Sequence, residues 1–198
     1  MATGVSDRKA QIIYEATRLF SQEGYDGVTM KRLAAACGIT EPALYRHFSS
    51  KDALYNHVLA STVDRLENKE LFGLLENESD VETLLTGLAD HILSFYSKNA
   101  DLYRLLLFAA LSGHTKAKQI YDSIRGTYVK FLIKQFDRLF AQGVIIKKHN
   151  DITARCFIGM VFDCSLATTL WKGFQGKAHK PVDVIANNVP IYVRGLRT

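Results

Sequence analysis

The chain has 198 residues, 47% of them hydrophobic and 23% charged, with a formal net charge of +5. This length holds a small headpiece and a larger body, each with its own core, and the sequence contains no internal repeat or low-complexity linker. Its three cysteines, Cys37, Cys156 and Cys164, are odd in number and lack metal-type spacing, which argues against a disulfide framework and a thiolate metal site and predicts free buried thiols in a reducing cytoplasm, with no cofactor.

Three prolines, few β-branched runs and recurring apolar stripes of 3.6-residue period predict an all-α protein of about nine helices. Asp7, Arg8, Lys9, Glu15 and Arg18 stand where a secretion signal would need an apolar core, so export is not expected. The first helical stripe is Ile12, Ile13, Ala16, Leu19 and Phe20, closed by Gly24-Tyr25-Asp26-Gly27. Thr29 is placed to cap a second helix whose apolar side is Met30, Leu33, Ala34 and Cys37, and Gly38 ends it where a left-handed residue costs little.

A third helix follows, with Thr40 as cap, Pro42 in the first turn and Leu44 and Phe48 pointing inward. Its other face carries Glu41, Ala43, Arg46 and His47. Two short helices joined by glycine occur in many all-α proteins; as a helix-turn-helix, this pair would lay the start of the second in the DNA major groove. Ser49 and Asp52 stand near capping-box spacing for a fourth helix expected from about Lys51 to Leu71, bringing the headpiece to a close.

Taken together, Ile12 to Phe20, Gly24-Tyr25, Val28-Thr29, Leu33-Ala34, Cys37-Gly38-Ile39-Thr40 and Leu44 to Lys51 are similar to the headpiece of TetR-family transcriptional regulators, without a gap over roughly residues 8 to 59. The rest of the chain resembles that family only in length and helical character. The resemblance implies a DNA-binding domain at 1–50, a ligand-binding and dimerisation domain at 51–198, and the function of a ligand-responsive regulator, by default a repressor. Such a protein binds a palindromic double-stranded operator as a homodimer and is released by a small effector.

It also implies roles for particular residues. Tyr45, His47 and Lys51 match positions that hold the DNA backbone, and each offers a donor to phosphate oxygen. Lys31 matches a position from which a base edge is reached. Arg46 is suited to guanine O6 and N7 and Ala43 to a thymine methyl, beside Pro42 at the exposed start of the helix. Glu41 either accepts from cytosine N4 or pairs with Lys31 or Arg46. Met30 stands where many relatives place a hydroxyl, which leaves Thr29 to make that phosphate contact.

Bulk charge does not announce DNA. Residues 1–60 hold seven basic and six acidic side chains, residues 61–139 ten and eleven, and residues 140–198 eight and three. A few well-placed phosphate contacts, doubled by dimerisation, would nonetheless make binding fall steeply with salt.

Downstream, Ser79-Asp80-Val81-Glu82 is placed as a capping box for a helix to about Lys98, with further helices expected over 99–111, 115–142, 151–172 and 182–194. Cys156 to Ala167 is apolar nearly all round, so it needs cover on two sides: the body on one and a second copy of the chain on the other, the last helix sharing that seam. Its apolar run is short and Asp163 interrupts it, which argues against a membrane span. Asp163 requires a partner, whether a cationic ligand, an arginine such as Arg104, or a group across the dimer.

Phe95, Tyr96, Tyr103, Phe108, Tyr121, Tyr128, Phe162 and Trp171 are candidates for the wall of a pocket for a largely apolar or aromatic effector, as well as for ordinary core. An enzyme is disfavoured. The histidines are scattered, and there is no metal pair on one helix turn, no nucleophile elbow and no phosphate-binding glycine loop. A DNA-binding protein without an effector is the alternative.

Overall fold

The computed structural model describes residues 3–64, 68–113, 115–146, 149–170 and 179–197. Among these residues there are ten helices and no strand: α1 (Thr3–Glu23), α2 (Met30–Ala36), α3 (Glu41–His47), α4 (Lys51–Asp64), α5 (Asn68–Leu75), α6 (Val81–Lys98), α7 (Ala100–Leu111), α8 (Thr115–Ala141), α9 (Asn150–Thr169) and α10 (Pro181–Leu196).

The all-α expectation holds. Of the helix expected over residues 51–71, α4 is described to Asp64 and α5 from Asn68, and the stretch between them lies outside the described residues.

Residue contacts divide the chain into two compact units. One comprises Met1–Leu66 with Asp101–Asp122, the other Glu67–Ala100 with Ser123–Thr198. In the first unit, α1 packs on α2 and α4, and α2 on α3. Ile12, Ala16, Phe20, Val28, Leu33, Leu44, Leu54, Val58 and Leu59 are wholly enclosed there. The stripes anticipated on α1, α2 and α3 are therefore the faces that the core takes up. Phe20 meets Tyr55 edge-on at 4.8 Å and Tyr25 at 6.2 Å, which ties α1, the loop after it and α4 to one aromatic centre.

In the second unit α6 is the central element, packed against α5, α9 and α10. It buries Leu84, Leu85, Leu88, Ile92, Leu93 and Tyr96, while α9 contributes Phe157, Ile158, Val161 and Phe162 and α10 contributes Val189, Val193 and Leu196. By length and composition α9 would pass as a membrane span. One side of it is nonetheless packed on α6 and α10, and its other side exposes Arg155 and Asp163, as in a core helix with one face left open.

Two caps sit one residue from where spacing places them. Asp80, not Ser79, caps α6, accepting from Thr83 N at 2.9 Å. Ser50, not Ser49, caps the start of α4, accepting from Ala53 N at 3.0 Å. Adjacent hydroxyl and carboxylate groups satisfy the same capping chemistry, and only the entry angle of the chain chooses between them.

Candidate nucleic-acid interface

The helix-turn-helix is built by local signals. Thr29 Oγ1 accepts from Arg32 N at 3.2 Å and Thr40 Oγ1 from Ala43 N at 3.4 Å, so each short helix has a side-chain cap. Between them Gly38 lies at φ +64°, which lets Ile39 N reach back to Ala34 O at 3.0 Å. Leu44 and Phe48 are buried, which turns the opposite face of α3 outward. That face presents Pro42, Tyr45 and Arg46 as exposed side chains, with Glu41, Ala43 and His47 partly exposed, and Thr29, Lys31 and Thr40 are exposed beside it. All nine sequence-chosen residues on or before α3 thus lie on accessible positions.

Glu41 departs from one expectation. Among the described residues no ion pair joins it to Lys31 or Arg46. Its carboxylate sits in the first turn of α3, where the helix dipole already favours an anion, while Arg46 and His47 occupy the last turn, where it favours cations. The basic residue of α2 that does pair is Arg32, with Glu23 at the end of α1.

Lys51 has duties that its position in the sequence did not reveal. Its ammonium donates to Tyr25 O and Val28 O, both at 2.9 Å, and stands 3.9 Å from the centre of the Tyr25 ring. The Tyr25 hydroxyl donates in turn to Asp52. Burial and then the Asp52 carboxylate push the Tyr25 phenol up to about 12, so it stays a donor throughout the physiological range. Lys51, Asp52 and Tyr25 therefore fasten the first turn of α4 to the loop between α1 and α2. Replacing Lys51 by methionine is expected to cost about 1–3 kcal/mol of stability, through two carbonyls left without their donor and a lost cation–π contact. Chemical denaturation measures this without DNA, and an unchanged midpoint would mean that the tie carries no weight.

In the second unit, the aromatics proposed for an effector wall separate into groups. Tyr96 and Tyr128 each meet Phe162 edge-on, at 5.5 and 6.1 Å, and Phe95 meets Tyr96 at 5.2 Å. Phe72 and Phe131 stack at 4.3 Å, and Phe72 meets Tyr128. Among these rings lies a polar trio missed by sequence reasoning. The Tyr128 hydroxyl, wholly buried, donates to Asn68 Oδ1 at 2.6 Å, and His91 Nε2 stands 3.2 Å from the same oxygen. Asn68 and Tyr128 are 60 residues apart, and no spacing rule links them.

Tyr103 and Tyr121 belong to the first unit, Tyr103 buried and Tyr121 partly exposed; Phe108, in the same unit, is 45% exposed. Trp171 lies outside the described residues. Asp163 is exposed on α9, so no burial cost forces a partner on it within the chain.

Burial pushes the His91 imidazole below its ordinary 6.5, outweighing the opposite pull of Asp90. The folded protein thus binds that proton less readily than the unfolded chain. Its contribution to stability is whole above pH 6.5 and is lost as pH falls from there through the lower folded value. The His91→Gln variant should lose less stability than the parent between pH 7 and pH 5 in thermal melts; parallel losses would contradict this.

A family model described as bacterial regulatory proteins of the tetR family matches residues 12–58, from the first enclosed residue of α1 to the last turns of α4 before Leu59. Over those residues the chain carries a TetR-family headpiece. It is a DNA-binding regulator and not an enzyme.

Among curated relatives, the nucleoid occlusion factor SlmA of Marinomonas sp. is 28% identical over 69% of this chain and 71% of that protein. SlmA of Salmonella typhi is 34% identical over 55% of each, so this alignment spans about half of that relative. Among solved structures, AibR in complex with isovaleryl coenzyme A and operator DNA shares the fold at a TM-score of 0.69 with 22% identity, covering 93% of this chain and 97% of AibR.

Proposed function

We propose that the protein is a dimeric, ligand-responsive repressor working in the cytoplasm. Residues 1–50 form its DNA-binding domain and residues 51–198 the part that binds an effector and a second copy. The observation that carries this reading is the outward face of α3, where Tyr45 and Arg46 stand exposed on a helix held by a two-sided cap and a buried apolar side. Two such faces related by a two-fold axis would meet successive major grooves about 34 Å apart, or a multiple of that, on a palindromic site. Arg46, Glu41 and Ala43 then read bases, with Lys31 reaching an adjacent edge. Thr29, Thr40, Tyr45 and His47 hold phosphates, and Lys51 adds to that hold while fixing α4.

The effector is largely apolar or aromatic. Supporting this are the rings of Phe95, Tyr96, Tyr128 and Phe162 around hydrogen-bonding groups that carry no charge at neutral pH. AibR, which shares the fold, has been seen in complex with isovaleryl coenzyme A and operator DNA. An effector that releases DNA must bind the DNA-free form more tightly, by a coupling of about 1–3 kcal/mol.

A second reading, a DNA-binding protein without a small effector, is favoured by the nucleoid occlusion factors among the relatives. The experiment that separates them titrates operator-bound protein with isovaleryl coenzyme A, a free fatty acid and a planar aromatic compound. Release by one of these, together with a raised melting temperature of the free protein, supports the regulator. Unchanged DNA affinity with all three favours the second reading.

A further inference from the structure

The polar trio of the second unit is flanked by two rings that keep open surface. Phe72 of α5 and Phe95 of α6 are half-buried, as is His91, whereas Tyr128 and Phe131 of α8 are buried. Phe72 stacks on Phe131 at 4.3 Å and meets Tyr128 edge-on at 5.7 Å, and Phe95 lies nearly parallel to the His91 ring at 6.4 Å. Three helices of one unit thus converge on this point.

The hydrogen bonds of the trio fix its protons. Asn68 Oδ1 is a carbonyl oxygen and only accepts, so the Tyr128 hydroxyl at 2.6 Å and His91 Nε2 at 3.2 Å both donate to it. With the proton on Nε2 and the imidazole held uncharged by burial, Nδ1 carries a bare lone pair. Among the described residues no hydrogen bond reaches Nδ1. Every buried polar side chain among them is uncharged, namely Ser21, Asn68, Gln135, Ser165 and Thr169, so a charged ligand would lose its water with no buried counter-ion to replace it. An acceptor set beside aromatic rings therefore suits a flat, neutral molecule with a hydrogen to donate.

We propose that His91 Nδ1 is the recognition point for the effector, and that the effector is an uncharged planar aromatic molecule bearing an N–H or O–H donor. The donor meets Nδ1 while the ring lies against Phe72 and Phe95. The inference rests on the effector reading above and names the chemical class that this site takes.

Calorimetry on the intact protein tests it with indole, which only donates, N-methylindole, which has the same rings without the donor, and quinoline, which only accepts. Indole should bind about fivefold or more tighter than N-methylindole, the worth of one hydrogen bond, and tighter still than quinoline, whose lone pair would face that of Nδ1. His91→Phe keeps a ring and loses the lone pair, and should bring indole down to the level of N-methylindole. Phe72→Leu should weaken both probes by a similar factor. Equal binding of indole and N-methylindole by the parent, or a preference for indole that survives in His91→Phe, would overturn donor recognition. Tightest binding of quinoline would mean that the Asn68 amide is turned over and Nδ1 protonated, and would overturn it too. Failure of every probe to bind at millimolar concentration would overturn the site, whereas release of DNA by isovaleryl coenzyme A or a fatty acid would still leave the effector reading standing.

Discussion

Replacing Arg46 by alanine is expected to cost operator binding about 2–6 kcal/mol, two copies each losing a bidentate contact worth about 1–3 kcal/mol. Arg46 is exposed on α3, which is held by the Thr40 cap and the buried Leu44, so the substitution removes the guanidinium without disturbing what positions it. The loss should concentrate at one base pair in each half-site. Titrations at fixed salt against the preferred site and against sites altered symmetrically at one position distinguish the cases. A base contact makes the variant indifferent to one altered position. A phosphate contact weakens all sites alike and reduces the dependence on salt.

Phe20→Ala should be the most destructive single change in the headpiece, at about 3–5 kcal/mol for an enclosed ring whose neighbours cannot close the gap. Phe20 is completely buried and meets both Tyr25 and Tyr55, and Tyr25 is part of the Lys51–Asp52 fastening. A loss of that size is a large part of the whole stability of an ordinary domain, about 5–15 kcal/mol. DNA binding should therefore disappear although no residue of the reading face has changed. Denaturation followed by circular dichroism would show an earlier transition; a loss below about 1 kcal/mol would mean that the aromatic centre does not hold the headpiece together.

The headpiece was the most legible part of the chain because its signals are local. Thr29 and Thr40 cap helices that begin at the next residue, Gly38 takes the left-handed conformation that its position requires, and the apolar stripes of α1 to α3 are the buried faces. Contacts made across long stretches of chain were not legible. Lys51 looked like a free donor because the carbonyls it meets lie 23 and 26 residues back.

Asn68 likewise gave no hint of Tyr128. Asp163 shows a different limit. Within a run of apolar residues it seemed to need a partner, whether a ligand, an arginine of the body or a group across a dimer. Which side of α9 is covered depends on the packing of α6 and α10, which turns Asp163 outward.

In the proposed function, α3 reads a two-fold symmetric DNA sequence. Selection of bound duplexes from a random pool by the intact protein tests it most directly. Two inverted half-sites centred about one helical turn apart, or a multiple of it, are expected, with a preference at one symmetric position that Arg46→Ala erases. Recovery of a pool with no shared sequence, or of a single asymmetric site read equally well by Arg46→Ala, would contradict it.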